Sequence, residues 1–128
     1  MLRVPCRRLS LEFLRDWPDQ RAYEYLLGFD GVGPKTAACV LLFAFGKAVF
    51  PVDTHIHRIA IRLGILGQRA SAEAAQDILT PLLRPADCYA MHLLLIAHGR
   101  QTCKARNPRC PDCCLLDLCP FGRAQRVS

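Results

Sequence analysis

The chain has 128 residues, 52% of them hydrophobic and 22% charged, a balance too apolar for intrinsic disorder and enough for one domain with a buried core. Its longest apolar run, nine residues from Ala37 to Phe45, is far short of the ~20 residues that cross a membrane, and MLRVPCRRLS lacks the apolar core of a secretory signal, so a cytoplasmic location is expected. Lys plus Arg outnumber Asp plus Glu by 17 to 11, a net charge of +6, which favours an anionic partner, nucleic acid first, although solubility alone would also account for it.

Taken in chain order, the punctuation predicts short helices and no strands. Residues 1–8 read as irregular. Ser10 can cap a short helix over Leu11–Trp17 that Pro18 ends. Asp19 suits the cap of a second helix, Gln20–Leu27. Gly28, Gly31 and Gly33 then break the pattern. Pro34 fits the first position of a third helix to Phe45, where its missing N–H costs nothing, and Gly46 fits the position after its end. Phe50-Pro51-Val52 reads as extended. Asp53 caps a helix over Thr54–Leu63, with Gly64 as the stop. Ser71 caps another, which Pro81 ends or kinks. Pro85 opens a longer one to His98, with Gly99 as its stop, before a loop rich in Cys, Pro and Arg. The expected class is all-α. The expected segments are the N-terminus (1–8), a hairpin and aspartate unit (9–66), C-terminal helices with the cysteine loop (67–121) and a tail (122–128).

Two patterns carry chemistry. In Gly31-Val32-Gly33-Pro34-Lys35-Thr36 the glycines can take positive φ and bring bare backbone close to a partner, and the next helix presents amides and a positive dipole end. Phosphate binding by Gly31, Val32, Gly33, Lys35 and Thr36 and an ordinary interhelical turn are both open on spacing alone. Lys35 stands in a first turn, where acids are preferred and a positive charge faces the dipole unfavourably; that suits an amine acting as a nucleophile, although most lysines are simply solvated. Asp53 is an N-cap whose second oxygen is free to face a cleft. His55 and His57 follow it and are assigned no chemistry.

Cys103, Cys110, Cys113 and Cys119 fall within seventeen residues as C-x6-C-x2-C-x5-C. Thiolates this close repel unless a metal centre neutralises them. Zinc sites use paired knuckles, and one C-x2-C with wide gaps fits a loop wrapping an iron–sulfur cubane better; zinc comes second and disulfides last. Cys114 competes with Cys113 for the third place, and Cys113 preserves the C-x2-C. Cys6, Cys39, Cys88 and Cys114 are then expected as free thiols, Cys39 in the core. Arg100, Lys104, Arg106 and Arg109 make the loop a candidate second phosphate contact, or merely a solvated charged loop.

Together GVGPKTA, FPVDTHIHR, HGRQTC and the cysteine spacing, in that order from about Leu9 to Phe121, resemble the endonuclease III family of DNA glycosylases. The resemblance implies a helix-hairpin-helix glycosylase fold, here partial, with one four-iron, four-sulfur cluster on the four cysteines. It implies that Lys35 is the catalytic lysine, attacking C1′ of a flipped nucleotide, and Asp53 the catalytic aspartate. The implied activity is removal of damaged bases, oxidised pyrimidines by default, followed by β-elimination at the abasic site. The implied partner is double-stranded DNA with a damaged base or abasic site; no membrane is involved, and a bacterial protein would sit with the nucleoid. Family members carry further helices before the part matched here. The chain is therefore expected to resemble a C-terminal portion, with an exposed apolar face on the helix after the hairpin that promotes association or meets a missing N-terminal half. A non-catalytic DNA-binding remnant is the alternative.

Overall fold

A computed structural model describes residues 10–127, so the irregular stretch expected over residues 1–8, and Cys6 with it, lies outside the described residues. Six α-helices succeed one another: α1 (Asp19–Leu27), α2 (Pro34–Phe45), α3 (Thr54–Arg62), α4 (Ala72–Leu79), α5 (Cys88–Gln101) and α6 (Pro120–Val127). Among the described residues there is no strand, as the absence of period-two alternation predicts. The expected helix at 11–17 is a 3₁₀ turn over Glu12–Asp16, with the Ser10 hydroxyl accepting from the Glu12 amide at 3.1 Å. Asp19 is the first residue of α1 rather than its cap; Pro18 takes the cap position.

The local signals for α2, α3 and α4 hold. Pro34 opens α2, and Gly46, at φ 64°, closes it in the left-handed conformation. Asp53 caps α3 by accepting from the Ile56 amide at 2.8 Å, and Ser71 caps α4 by accepting from the Ala74 amide at 3.1 Å. A 3₁₀ turn over Thr80–Leu82 ends α4 where Pro81 interrupts it. The final residues form α6, packed on the two 3₁₀ turns of the cysteine loop, Cys110–Asp112 and Leu116–Leu118.

Gly99 departs from expectation. It lies inside α5, which continues to Gln101. The reason is close approach: a Cβ at Gly99 would stand 2.7 Å from the Cβ of His55 on α3. The glycine is the notch that lets α5 cross α3, not a stop. Gly99→Ala forces the helices apart and should cost about 1–3 kcal/mol by overpacking. Thermal denaturation followed by circular dichroism should then show a midpoint lower by roughly 5–15 °C.

Two apolar clusters form the interior, and α2 serves both. Ala37 and Leu41 join Leu14, Ala22 and Leu26 against α1. Leu42 joins Phe50, Val52, Ile56, Ala60, Leu66, Ala75, Leu79 and Cys88 on the other side. Each fully buried Leu, Ile or Phe here contributes about 1.5–3 kcal/mol relative to exposure. Lys47 ties the first turn to the end of α2. Its ammonium, largely buried, donates to the carbonyls of Trp17 at 2.7 Å and Arg15 at 3.3 Å and pairs with Asp19 at 3.2 Å.

The apolar character of α2 on every face leaves part of it uncovered. Phe43 is 44% exposed and meets the half-exposed Tyr89 of α5 edge-to-face at 5.4 Å, with exposed Leu93 on the same helix. No helix among the described residues is long and apolar enough to cross a membrane.

Candidate functional site

The hairpin between α1 and α2 is held by two backbone bonds, Phe29 N–H to the Leu26 carbonyl and Val32 N–H to the Phe29 carbonyl, each 3.2 Å. Gly31, at φ 81°, is the position that needs glycine. Gly33, expected to share that freedom, is instead extended (φ −94°, ψ −178°) and caps α2 with no side chain. Neither glycine's missing Cβ would touch anything within 4 Å, so this backbone faces open space. Val32 is half-buried against the α1–α2 cluster, which anchors the hairpin from below. Lys35 and Thr36 are exposed in the first turn of α2, where no side-chain oxygen competes for the helix amides.

Asp53 arrives from the other direction. The extended segment Phe50–Val52 is buried and pinned at two points. Thr80 Oγ1 accepts from the Phe50 amide at 3.2 Å, and His92 Nδ1 lies 3.1 Å from the Pro51 carbonyl. One Asp53 oxygen caps α3. Lys35 and Asp53 both bear electrostatically on the same two side chains, Cys39 and His92. Burial pushes the Cys39 thiol up, with Lys35 lowering it and Asp53 raising it. Burial pushes the His92 imidazole down, against the Pro51 carbonyl and Asp53, while Lys35 adds to the fall. The starts of α2 and α3 thus place an amine and a carboxylate within electrostatic range of the same two side chains.

His92 was not signalled by the sequence as a site residue. It is buried, bonded to Pro51, and edged by the rings of Phe43 at 5.2 Å and Phe50 at 6.0 Å. Its folded value lies below the ordinary 6.5, so the unfolded chain binds the extra proton first as pH falls. Stability is then present above that ordinary value and is lost as pH drops toward the folded value. Urea denaturation between about pH 7 and pH 5 should show this loss in the wild type and a shallower one in His92→Asn, whose amide can still reach Pro51.

The four loop cysteines converge. Cys103, Cys110, Cys113 and Cys119 line one cavity with Thr102, Leu116, Phe121 and Gly122. Burial pushes the Cys110 thiol up, and Cys103, Cys113 and Cys119 each push it further, with Arg62 pulling it down. Thiols that repel one another around a shared cavity are what a cationic centre would relieve, so the residues fit a cluster. Among the described residues no three His, Cys, Asp or Glu groups converge closely enough to hold a single metal ion; a polynuclear centre asks only that each thiolate reach its own metal atom. Cys114 is exposed and does not line the cavity, whereas Cys113 does. No disulfide is formed among the described cysteines, Cys39 is half-buried and Cys88 is buried.

Donors surround the sulfurs. The amides of Leu115 and Gly122 each donate at 3.4 Å, to Cys113 and Cys119, and His98 Nε2 lies 3.6 Å from Cys113. Two arginines on α3, not singled out from the sequence, fasten the loop. Arg58 donates to the carbonyls of Gly99 at 3.0 Å and Cys103 at 2.8 Å, and to His55 Nδ1 at 3.0 Å. Arg62 reaches Cys103, Lys104 and Ala105. Arg100, Lys104, Arg106 and Arg109 are exposed around this loop, with Arg109 paired to Asp112 at 3.3 Å. Asn107, at φ 53°, turns the chain among them.

No family model matches the chain. Individual proteins do. Endonuclease III of Treponema pallidum is 47% identical over 116 residues, covering 91% of this chain and 47% of that protein. A solved non-covalent endonuclease III–DNA complex superposes with a TM-score of 0.77 at 35% identity, over 84% of this chain and 50% of that one. The chain belongs to the endonuclease III family. A trapped endonuclease III–DNA covalent intermediate is similarly alike, with a TM-score of 0.76 at 36% identity over 83% of this chain and 50% of the other. The chain spans about half the length of the curated endonuclease III relatives it matches. Their shared fold accounts for the helical architecture described above.

Proposed function

We propose that this chain is the hairpin-and-cluster portion of a base-excision repair DNA glycosylase with abasic-site lyase activity. The observation that carries this is the placement of Lys35 and Asp53. They start two successive helices, Lys35 directly after an open glycine hairpin, and bear with opposite charge on Cys39 and His92. In this reading Lys35 Nζ attacks C1′ of the flipped nucleotide, and the bond from C1′ to the base breaks. Asp53 accepts the lysine's proton or stabilises the cationic sugar as that bond lengthens. The aminal left at C1′ opens by breaking its C1′–O4′ bond, O4′ taking up a proton, and the imine so formed makes the C2′ proton acidic; loss of that proton breaks the C3′–O bond and expels the 3′ phosphate, which nicks the strand. Damaged-base duplex and abasic-site duplex are the substrates, with oxidised pyrimidines first, in the compartment where DNA lies.

Gly31, Val32, Gly33 and Thr36 contact one phosphate run through backbone amides. Arg100, Lys104, Arg106 and Arg109 contact a second. Cys103, Cys110, Cys113 and Cys119 hold a four-iron, four-sulfur cluster, which when bound supplies four covalent anchors for the loop. Incubation of the 128-residue chain with abasic-site duplex and borohydride tests the reading. Hydride reduces the imine, and a stable protein–DNA adduct is expected. A helical, cluster-loaded sample that yields none overturns it.

The exposed face of Phe43, Tyr89 and Leu93 supports a second reading, that the chain works only against a helical partner or preceding half that covers this face. Adduct formation that appears only on adding such a half would favour it.

A further inference from the structure

We propose that Arg62 is the positioning residue of the four-cysteine site, joining the first cysteine to the basic segment that follows it. The proposal rests on the cluster reading above. Arg62 is the last residue of α3, so its position is set by that helix and not by the loop. Its side chain divides its fork among three acceptors in consecutive residues of the loop. One terminal nitrogen donates to Cys103 Sγ at 3.3 Å and to the Lys104 carbonyl at 2.7 Å; the other donates to the Ala105 carbonyl at 3.3 Å. The Cys119 thiol donates to the Arg62 carbonyl at 3.4 Å, a bond that a metal-bound thiolate gives up, so the sulfur that Arg62 holds in the loaded site is that of Cys103. The guanidinium also stacks on Phe121 of α6, 4.3 Å from the ring centroid.

One arginine therefore touches the first cysteine, the segment that follows it and the first turn of α6. This arrangement meets two needs at once. Residues 104–106 have no helix of their own, and carbonyls without a ladder need donors from elsewhere. A cysteine bound to metal keeps its negative charge, and a charge-assisted N–H···S bond stabilises it and fixes which way the sulfur points. Arg58 bonds to the Cys103 carbonyl but to no sulfur, so the two arginines have separable roles. Lysine cannot replace Arg62 fully, because a point ammonium lacks the planar fork that reaches three acceptors while lying flat on a ring.

The same segment carries Lys104 and Arg106. Arg62 thus sets where the candidate phosphate contacts of the loop begin. Its removal should loosen metal retention and DNA binding by the loop together, while the hairpin side is untouched.

The test uses the full chain, purified without oxygen, as wild type, Arg62→Gln, Arg62→Lys and Arg84→Gln. Arg84 is on the surface, with a side chain 85% exposed. Each is treated with a ferrous-iron chelator, and the loss of visible iron–sulfur absorbance is timed. Electron paramagnetic resonance, taken after chemical oxidation or reduction of the cluster by one electron, records its signature, and circular dichroism the helix content. Arg62→Gln should bleach roughly tenfold faster or more, the usual cost of losing an outer-shell partner. Arg62→Lys should fall between it and the wild type, and Arg84→Gln should match the wild type. The paramagnetic signature should shift in both Arg62 variants with helix content unchanged, which a purely structural role would not produce. Bleaching of Arg62→Gln at the wild-type rate overturns the proposal, as does an equal effect in Arg84→Gln. A colourless wild type overturns the cluster reading, and this role falls with it.

Discussion

Lys35→Gln is expected to abolish the borohydride-trapped adduct entirely, with no change in helix content. The residue is exposed, so the effect on stability should stay within about 0.5 kcal/mol. The chemical effect is total because an amide cannot form the imine. Arginine should fail equally: its guanidinium keeps the charge at the start of α2 but offers no free amine. That separates nucleophile from phosphate contact, since Lys35→Arg should retain duplex binding and lose only the adduct. Asp53→Asn is the partner experiment. Asparagine caps a helix about as well as aspartate, so the bond to the Ile56 amide survives and α3 stays in place. What is removed is the carboxylate, and the trapping rate should fall by about 10²–10⁴. Gel analysis of adduct against time, with thermal melts alongside, checks all three variants.

The second large effect concerns the loop. On the proposed cluster reading, Cys113→Ser should leave the chain without visible iron–sulfur colour, whereas Cys114→Ser, one residue away, should not. Cys113 lines the shared cavity and receives the Leu115 amide, while Cys114 is exposed. Serine preserves volume but is a poor ligand to a soft metal centre. In that reading the loop of the variant also lacks the anchors proposed to hold Arg100, Lys104, Arg106 and Arg109 near one another. Duplex affinity should then drop by about one to two orders of magnitude at low salt, and the slope of log affinity against log salt should shrink by about 0.9 for each phosphate that the loop no longer neutralises. A Cys113→Ser protein that stays brown would transfer the ligand role elsewhere. Iron analysis and fluorescence anisotropy with a duplex measure both.

The parts of the fold that sequence could reveal are those whose cause is local. Pro34, Gly46, Asp53 and Ser71 mark helix ends because each acts within a turn of itself. The four-cysteine spacing is equally local, and the structure brings all four side chains to one cavity. Gly99 was misread for a physical reason. A glycine after an apolar helical run can end the helix or admit a neighbour, and only the position of His55, forty-four residues earlier, decides between them. Arg58 and Arg62 were missed for the same reason. The carbonyls and sulfur they bind lie 41 to 45 residues away, and nothing in the helix sequence THIHRIAIR announces them. Nothing near His92 in the chain marks it, because its partner, the Pro51 carbonyl, lies 41 residues away.

Helix α3 begins at the Asp53 cap and ends at the arginine that grips the cysteine loop. Nine residues span about 13 Å at about 1.5 Å each, with a rotation of about 100° per residue. Adding or deleting one residue between Asp53 and Arg58 would leave every side chain chemically intact yet swing both arginines away from the loop, or the Asp53 carboxylate away from its place at the helix start. The helix therefore works as a ruler whose phase matters more than its composition. Solvent-facing positions such as Thr54 can vary freely, but its length cannot. Among natural variants of this chain, substitutions in α3 should outnumber insertions and deletions there far beyond the ratio seen in the adjoining turn at 64–70.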